Sequence, residues 1–414
     1  MKILFVGLFL GSRKGGAEVS SKLLIENLAP QNQISVISLV ENSIFSDDIE
    51  FWQIKSIFPK FMIMKGYRIS YFSIKRKLNK LVNTINPDII YVIDLSLLIP
   101  GVEIANKNKI PVITTIRDYR FFCNLPTCQF EGELDFECFK SKYSICNRKL
   151  RTDYNFSRLR LIYLHSHKSF PLRLMESINN CSHVFAVSNY VKNSLISLNV
   201  KSEPIVTYYP SEFESIKSNL EPSSPTSDPF IIFSYSNFNF EKGMFILVKA
   251  FHTLVYDSKI NNINLIIAGY GPEFNIIKDY IDVHKIPNVK LLGRVGKDEI
   301  YEILNNCKVV VSPSIWPEPL SRLLIDSLYL GKTIIASNVG GSTELIQKGV
   351  CISFQNNNIN SLAFQIKRVF LHPKIMDDIG ILARKYYKLN HSETLLVKMH
   401  NETFLNLNGS TKVD

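Results

Sequence analysis

Two carboxylates eight positions apart, Glu318 and Asp326, mark the stretch of this 414-residue chain with the most evident chemistry, Pro313 to Glu344 (PSIWPEPLSRLLIDSLYLGKTIIASNVGGSTE). Eight positions make a little over two turns at about 3.6 residues per turn. A helix opening near Pro319 would put Glu318 just before its N-terminus and Asp326 inside it, on a similar face. The N–H groups of Leu320, Ser321 and Arg322 would then point out of the helix end beside Glu318. Unpaired donors and the positive end of the dipole make such an end a phosphate site. Flanking carboxylates accept hydrogen bonds from sugar hydroxyls, so the pattern points to a nucleotide sugar. The bland alternative is a plain βαβ unit with a solvated Glu and Asp.

The stretch resembles the donor-site signature of glycosyltransferase family 4. Its members are retaining enzymes of α/β class with the GT-B fold, two Rossmann-like domains facing each other across a cleft. The matching series here is Glu318, Asp326, Gly331-Lys332-Thr333-Ile334, then Gly340-Gly341 and Glu344. The resemblance implies that Glu318 holds the donor sugar's hydroxyls and position 326 the nucleotide ribose. Asp326 is one methylene shorter than the Glu usual there.

Other motifs extend the resemblance along the chain. Asn237-Phe238-Asn239-Phe240-Glu241-Lys242-Gly243 follows an apolar strand pattern, Phe230 to Ser236, and resembles a loop whose Arg and Lys hold the donor diphosphate. Lys242 keeps the Lys, and Asn237 stands where the Arg is expected. Either Arg322, Arg294 or Arg117 compensates, or the donor's phosphates are held more weakly. Gly269-Tyr270-Gly271-Pro272 matches a tight turn after Asn264 to Gly269, and the helix near Lys297 to Asn305 fits the base pocket. Gly15-Gly16-Ala17-Glu18, after the buried strand Lys2 to Leu10, resembles a loop at the inter-domain cleft. Glycine there lets backbone approach a ligand closely. Arg117-Asp118-Tyr119 follows the strand Pro111 to Ile116, at the sheet end where open α/β folds place ligands. By resemblance, Arg117 neutralises donor phosphate or orients the acceptor, and Asp118 holds an acceptor hydroxyl.

These motifs require two alternating α/β series. The expected division is residues 1–209 for an acceptor-side domain, 210–229 for a Ser/Pro-rich linker, and 230–390 for a donor domain. Residues 391–414 are expected to form a helix crossing back to the first domain. A hydrophobic share of 46% with 21% charged residues describes a globular chain, and its length fits two domains. The net charge of +11 is uneven: 27 Lys+Arg against 19 Asp+Glu up to residue 215, and 21 against 18 after it. Lys60 to Lys80 mixes Phe, Met, Ile and Tyr with Lys65, Arg68, Lys75, Arg76, Lys77 and Lys80. A second basic stretch, Arg148 to Arg173, surrounds Leu159–Leu164 and includes His165 and His167, read as solvated. Lys60 to Lys80 suits an anionic membrane surface and about equally an ordinary surface helix packed on the sheet, but two such stretches in one half favour membrane contact. No nucleic-acid module pattern is present, and none of the apolar runs approaches the roughly 20 residues of a spanning helix.

Seven cysteines form an odd count, consistent with a reducing cytoplasm. Of Cys123, Cys128, Cys138 and Cys146, only the first pair, with four residues between, just meets the tight spacing of structural zinc sites; a zinc site is the less favoured reading and free thiols the simpler one. The expectation is a cytoplasmic or peripheral hexosyltransferase at the inner membrane face. It would take a nucleoside-diphosphate sugar, require no metal, and deliver the sugar to a glycan or lipid-linked acceptor. A degenerate binding partner and a sugar-nucleotide epimerase are the rivals.

Overall fold

The computed structural model describes residues 1–12, 15–64, 68–122, 169–216, 229–258, 260 and 262–410. The four-cysteine loop, most of the Arg148–Arg173 stretch, and part of the expected linker lie outside these residues. The described chain forms two compact units. The first contains residues up to 122, then 169–209, and the final helix Glu393–Ser410. The second contains 210–216 and 229–392.

In the first unit seven parallel strands are ordered β3-β2-β1-β4-β5-β6-β7. They are β1 (Lys2–Gly7), β2 (Gln33–Ser38), β3 (Glu50–Gln53), β4 (Ile89–Val92), β5 (Val112–Ile116), β6 (His183–Ala186) and β7 (Ile205–Val206). The central ones, β4 and β5, are buried along their whole length, as strands covered on both faces must be. The order reverses between β1 and β4, so the loops leaving their C-terminal ends flank the point where doubly wound sheets bind ligands.

The second unit repeats the plan with six parallel strands, ordered β10-β9-β8-β11-β12-β13. They are β8 (Phe230–Tyr235), β9 (Ile263–Ala268), β10 (Val289–Gly293), β11 (Val309–Ser312), β12 (Thr333–Ser337) and β13 (Ile352–Phe354). Here the reversal lies between β8 and β11. The loop after β8 carries Lys242, and the loop after β11 carries Glu318. Pro210–Ile216 reads as linker in composition but is packed within this unit. Phe213 is 2% exposed in a cluster with Phe233, Tyr301 and Leu323, and Ser211 is fully buried.

The last helix is held in the first unit by a buried polar contact. His400 lies beside Tyr91 of β4 and Phe185 of β6, with ring centroids 5.9 and 4.4 Å away. Its Nδ1 is 2.8 Å from the Leu396 carbonyl and its Nε2 3.2 Å from the Tyr91 hydroxyl. A carbonyl can only accept, so the proton sits on Nδ1 and Nε2 accepts from Tyr91. Burial pushes the His400 pKa down to about 4 from its ordinary 6.5. The unfolded chain therefore binds a proton that the fold refuses between those pH values, and stability falls as pH is lowered through that window. Denaturant titrations from pH 7 to 4 should show wild type losing up to about 3 kcal/mol more than His400→Gln over that range.

Candidate functional site

In the second unit, the loop after β8 and the loop after β11 are pressed together. The chain makes the turn Phe240–Lys242, then passes Gly243, at φ +66°, into the helix Met244–Tyr256. A Cβ on Gly243 would lie 2.0 Å from the Pro313 carbonyl oxygen, so only glycine admits this approach. The Glu241 carbonyl accepts from the Ile315 N–H at 3.0 Å and the Ser314 hydroxyl at 3.1 Å. On the other side, the Gly341 N–H donates to the Glu318 carbonyl at 2.7 Å. Cβ atoms on Gly340 and Gly341 would fall 2.4 Å from the Glu318 oxygen and 2.0 Å from the Pro319 oxygen. Three backbone segments thus meet at van der Waals distance through glycines.

This packing sets the side chains. Lys242 Nζ is 2.8 Å from Glu318 Oε1, and it lies 5.1 Å from the centroid of the Trp316 ring. Both partners keep some solvent access, at 18% and 17% of the side chain. A cation between a carboxylate and an indole is held in place on two sides.

The helix following Glu318 departs from expectation. It runs Arg322–Tyr329 with Ser321 as its N-cap, rather than starting near Pro319. Gly341 packs on the Pro319 carbonyl and bonds the Glu318 carbonyl, which holds both residues in the loop. Leu320 and Ser321 are likewise outside the helix, and the Ser321 side chain makes no capping bond. The N–H groups at this helix end are therefore those of the turn beginning at Arg322, not of Leu320 and Ser321.

Asp326 is also corrected. It is 1% exposed, and its oxygens accept from the Ser211 hydroxyl at 2.6 Å and the Tyr235 hydroxyl at 2.5 Å. Arg322 approaches it at 3.5 Å and donates to the Pro210 carbonyl at 2.8 Å. Burial pushes the Asp326 carboxyl up, against the pull of Arg322 and the two hydroxyls. A side chain so enclosed ties the helix to β8 and to the segment at Ser211. It is not presented to a ribose, and Arg322 is committed to the same internal network.

The remaining residues of the donor set divide. Asn237 is exposed beyond the end of β8. Gly271 packs its Cα against the Phe238 backbone, where a Cβ would lie 2.8 Å from three atoms, so it serves the turn rather than a ligand. Arg294, just past β10, is exposed and stands 5.9 Å from the Tyr270 ring centroid.

In the first unit, a concavity of about 230 Å³ opens at the C-terminal ends of β1, β4 and β5. Gly15 is the extended N-cap and Gly16 the first residue of the helix Gly16–Leu28, whose Ala17, Glu18 and Ser21 line this space. Arg117 does not extend its fork into open space. It donates to the Ala17 carbonyl at 2.6 Å, the Ser21 hydroxyl at 2.8 Å and the Ile93 carbonyl at 3.1 Å, and lies against the Tyr209 ring. It ties the glycine loop to the end of β4. Asp118 receives the Nε and Nη2 groups of Arg120 at 2.8–3.0 Å. The same guanidinium reaches Asp94 at 3.2 Å and Ser96 at 2.5 Å.

Arg120 and Asp94 were not among the residues expected from sequence. The available signals were Asp-x-Arg spacing after β5 and an acid at the end of β4. Burial raises the Asp94 pKa, but Arg120 and the Ser96 N–H outweigh it and hold the carboxyl below its ordinary range. Among the described residues, no group of His, Cys, Asp and Glu is arranged to hold a metal ion.

Two doubly wound units in this order are the fold of GT-B glycosyltransferases. The structure aligns with Anabaena HepE, described in complex with UDP and glucose, at a TM-score of 0.70 and 17% identity over 98% of this chain and 100% of that one. A model of glycosyltransferase family 4 matches residues 14–211, and one of group 1 glycosyl transferases matches 216–386. The chain belongs to glycosyltransferase family 4 and is a glycosyltransferase. An uncharacterized 42.6 kDa protein in the cps region of Klebsiella pneumoniae is 24% identical over 94% of this chain and 99% of its own length. An uncharacterized glycosyltransferase of Methanocaldococcus jannaschii is 24% identical over 50% of this chain, and the match spans only 55% of that relative.

Close glycine packing and backbone freedom separate cleanly in a paired substitution. Gly341 has φ −66°, open to any residue, so Gly341→Ala tests the clash with Pro319 alone. It should lower stability by about 1–3 kcal/mol in denaturant titration, whereas Gly296→Ala, with nothing near its Cβ, should stay within about 0.5 kcal/mol.

Proposed function

We propose that this chain transfers a hexose-type sugar from a nucleoside-diphosphate donor to a hydroxyl of a glycan or lipid-linked acceptor, with retention of anomeric configuration. The observation that carries the proposal is the Lys242–Glu318 pair, at the strand-order reversal of the second unit and beside a helix end whose Ser321 does not cap it. In this reading the donor diphosphate takes Lys242 and the N–H groups of the helix start. Glu318, released from its ion pair, accepts hydrogen bonds from the sugar hydroxyls. Arg294 and Tyr270 provide a cationic and aromatic rim for the nucleotide. UDP-hexoses are the donors to test first, since the Anabaena protein is described with UDP and glucose.

The chemistry asked of these groups is modest. The acceptor oxygen attacks the anomeric carbon on the face from which the diphosphate departs, and its proton passes to a departing phosphate oxygen. Lys242 and the helix N-terminus stabilise the negative charge that grows on the diphosphate. Glu318 fixes the ring in the reactive orientation.

The acceptor is assigned to the concavity of the first unit, beside Asp118. Contact with an anionic membrane surface is supported by Ile57 and Phe72, each 77% exposed among Lys and Arg residues. No helix among the described residues is long and apolar enough to cross a membrane.

A thermal-shift screen against UDP-, GDP- and ADP-sugars tests the donor assignment, because a ligand of the native state raises its melting temperature. One nucleotide should raise it, and Lys242→Ala should remove the shift. Glu318→Gln should lower kcat by about 10²-fold or more while the protein stays folded. Wild-type turnover in Glu318→Gln would refute the assignment. No shift with any donor would favour a binding partner with a degenerate site.

A further inference from the structure

We infer that Arg120 is the positioning residue of a subsite in the first unit that selects an uncharged, hydroxyl-bearing group, an inference that rests on the acceptor assignment above. The side chains of Arg120, Asp94 and Asp118 are 15%, 18% and 27% exposed. Two carboxylates converge on one guanidinium: Nε and Nη2 go to Asp118, Nη2 also to Asp94, and Nη1 to the Ser96 hydroxyl. The Asp118 carboxylate also accepts the Arg120 backbone N–H at 2.9 Å, which fixes its angle. Asp94 in turn accepts the Ser96 N–H at 2.8 Å and caps the turn Leu95–Leu97. Without the cation, two carboxylates this close would repel, and one would take up a proton.

The lining of the concavity decides what can bind. Among the described lining residues, the carboxylates Glu18, Asp94 and Asp118 outnumber the guanidiniums Arg117 and Arg120, and Lys60 stands over the Phe9 ring, 5.8 Å from its centroid. Both guanidiniums are committed to internal partners, Arg117 to two carbonyls and Ser21, Arg120 to the acids and Ser96. An anionic ligand would therefore face the carboxylates and find neither fork open. A hydroxyl would find acceptor positions mainly on Asp94, whose bonds from Ser96 N–H and Arg120 Nη2 both go to Oδ1, and about one on Asp118, which already accepts three N–H groups of Arg120, since a carboxylate offers about four. Phe9 and Met64, the partly exposed apolar residues of the lining, supply an apolar wall for the ring face or an attached chain. The occupant with this chemistry is a neutral sugar or polyol carrying an apolar group. Arg120 acts on it only through the two aspartates.

Octyl glycosides provide the probes: neutral glucoside, galactoside, mannoside and N-acetylglucosaminide, compared with octyl glucuronide, each below its micelle concentration. Binding is read by ligand-observed NMR on the full chain, with UDP as the donor-side control. At least one neutral glycoside should bind wild type about fivefold or more tighter than the glucuronide. Arg120→Gln should abolish that preference and Arg120→Lys should restore part of it, with UDP affinity unchanged to within about twofold. If Arg120→Gln does not fold, Ser96→Ala, which removes one partner of the fork, should weaken the preference in the same direction. An unchanged preference in folded Arg120 variants, while Asp118→Asn removes it, would overturn the role of Arg120. Equal or tighter binding of the glucuronide to wild type would overturn the selectivity. Neutral glycosides that bind neither wild type nor any variant, or that bind Asp118→Asn unchanged, would instead overturn the acceptor assignment.

Discussion

A lysine and a glutamate 2.8 Å apart require their two loops to be held within a narrow tolerance, and in the second unit that tolerance is set by glycine. Gly243 touches the Pro313 carbonyl, and Gly340 and Gly341 touch the backbone of Glu318 and Pro319. Packed backbone cannot yield as a flexible side chain can, so the pair inherits the rigidity of three strand ends. The interaction has a second consequence. A partly exposed ion pair contributes little stability by itself, so its partners can be drawn apart by a ligand that satisfies both. A diphosphate linked to a sugar is such a ligand, anionic at one end and hydroxylated at the other.

The two units solve the same topological problem differently. Both gather their candidate residues at the reversal of strand order, where adjacent loops diverge from neighbouring strands. In the second unit the charged pair is reached through glycine-mediated backbone contact. In the first, Arg117 and Arg120 provide the rigidity, each spending its fork on carbonyls, hydroxyls or carboxylates of the loops around it. A planar guanidinium with several fixed donors suits this purpose better than an ammonium. Two arginines here thus act as internal braces, although their charge and position would suggest ligand contact.

Strands were legible wherever they are buried on both faces, because continuous apolar runs such as Val309–Ser312 leave little choice. Glu50–Gln53, at the sheet edge, has no such run, and Ile205–Val206 and Ile352–Phe354 are too short to show a period. Residue type, spacing and the family resemblance single out Lys242 and Glu318 as candidates, but their mutual contact depends on tertiary packing that no local window encodes. The helix start was misplaced because Pro319 favours a first helical turn, while the Gly341 contact holds that proline in the loop. Asp326 was misread for a related reason. Helical spacing gives a residue's face but not what covers it, and the cover comes from Ser211 and Tyr235, distant in sequence. Arg120 escaped notice because an Arg two residues after an Asp is unremarkable until β4 brings Asp94 to it.

In the proposed reaction Lys242 and Glu318 act as distinct ligands of a donor and are not merely a structural ion pair. The double exchange Lys242→Glu with Glu318→Lys separates these roles, because it preserves the pairing and reverses its order. Its melting temperature and its rate of sugar transfer with the wild-type donor should be measured side by side. We expect stability close to wild type and transfer lowered by about 10²-fold or more. Transfer at the wild-type rate in the exchanged protein would contradict the account.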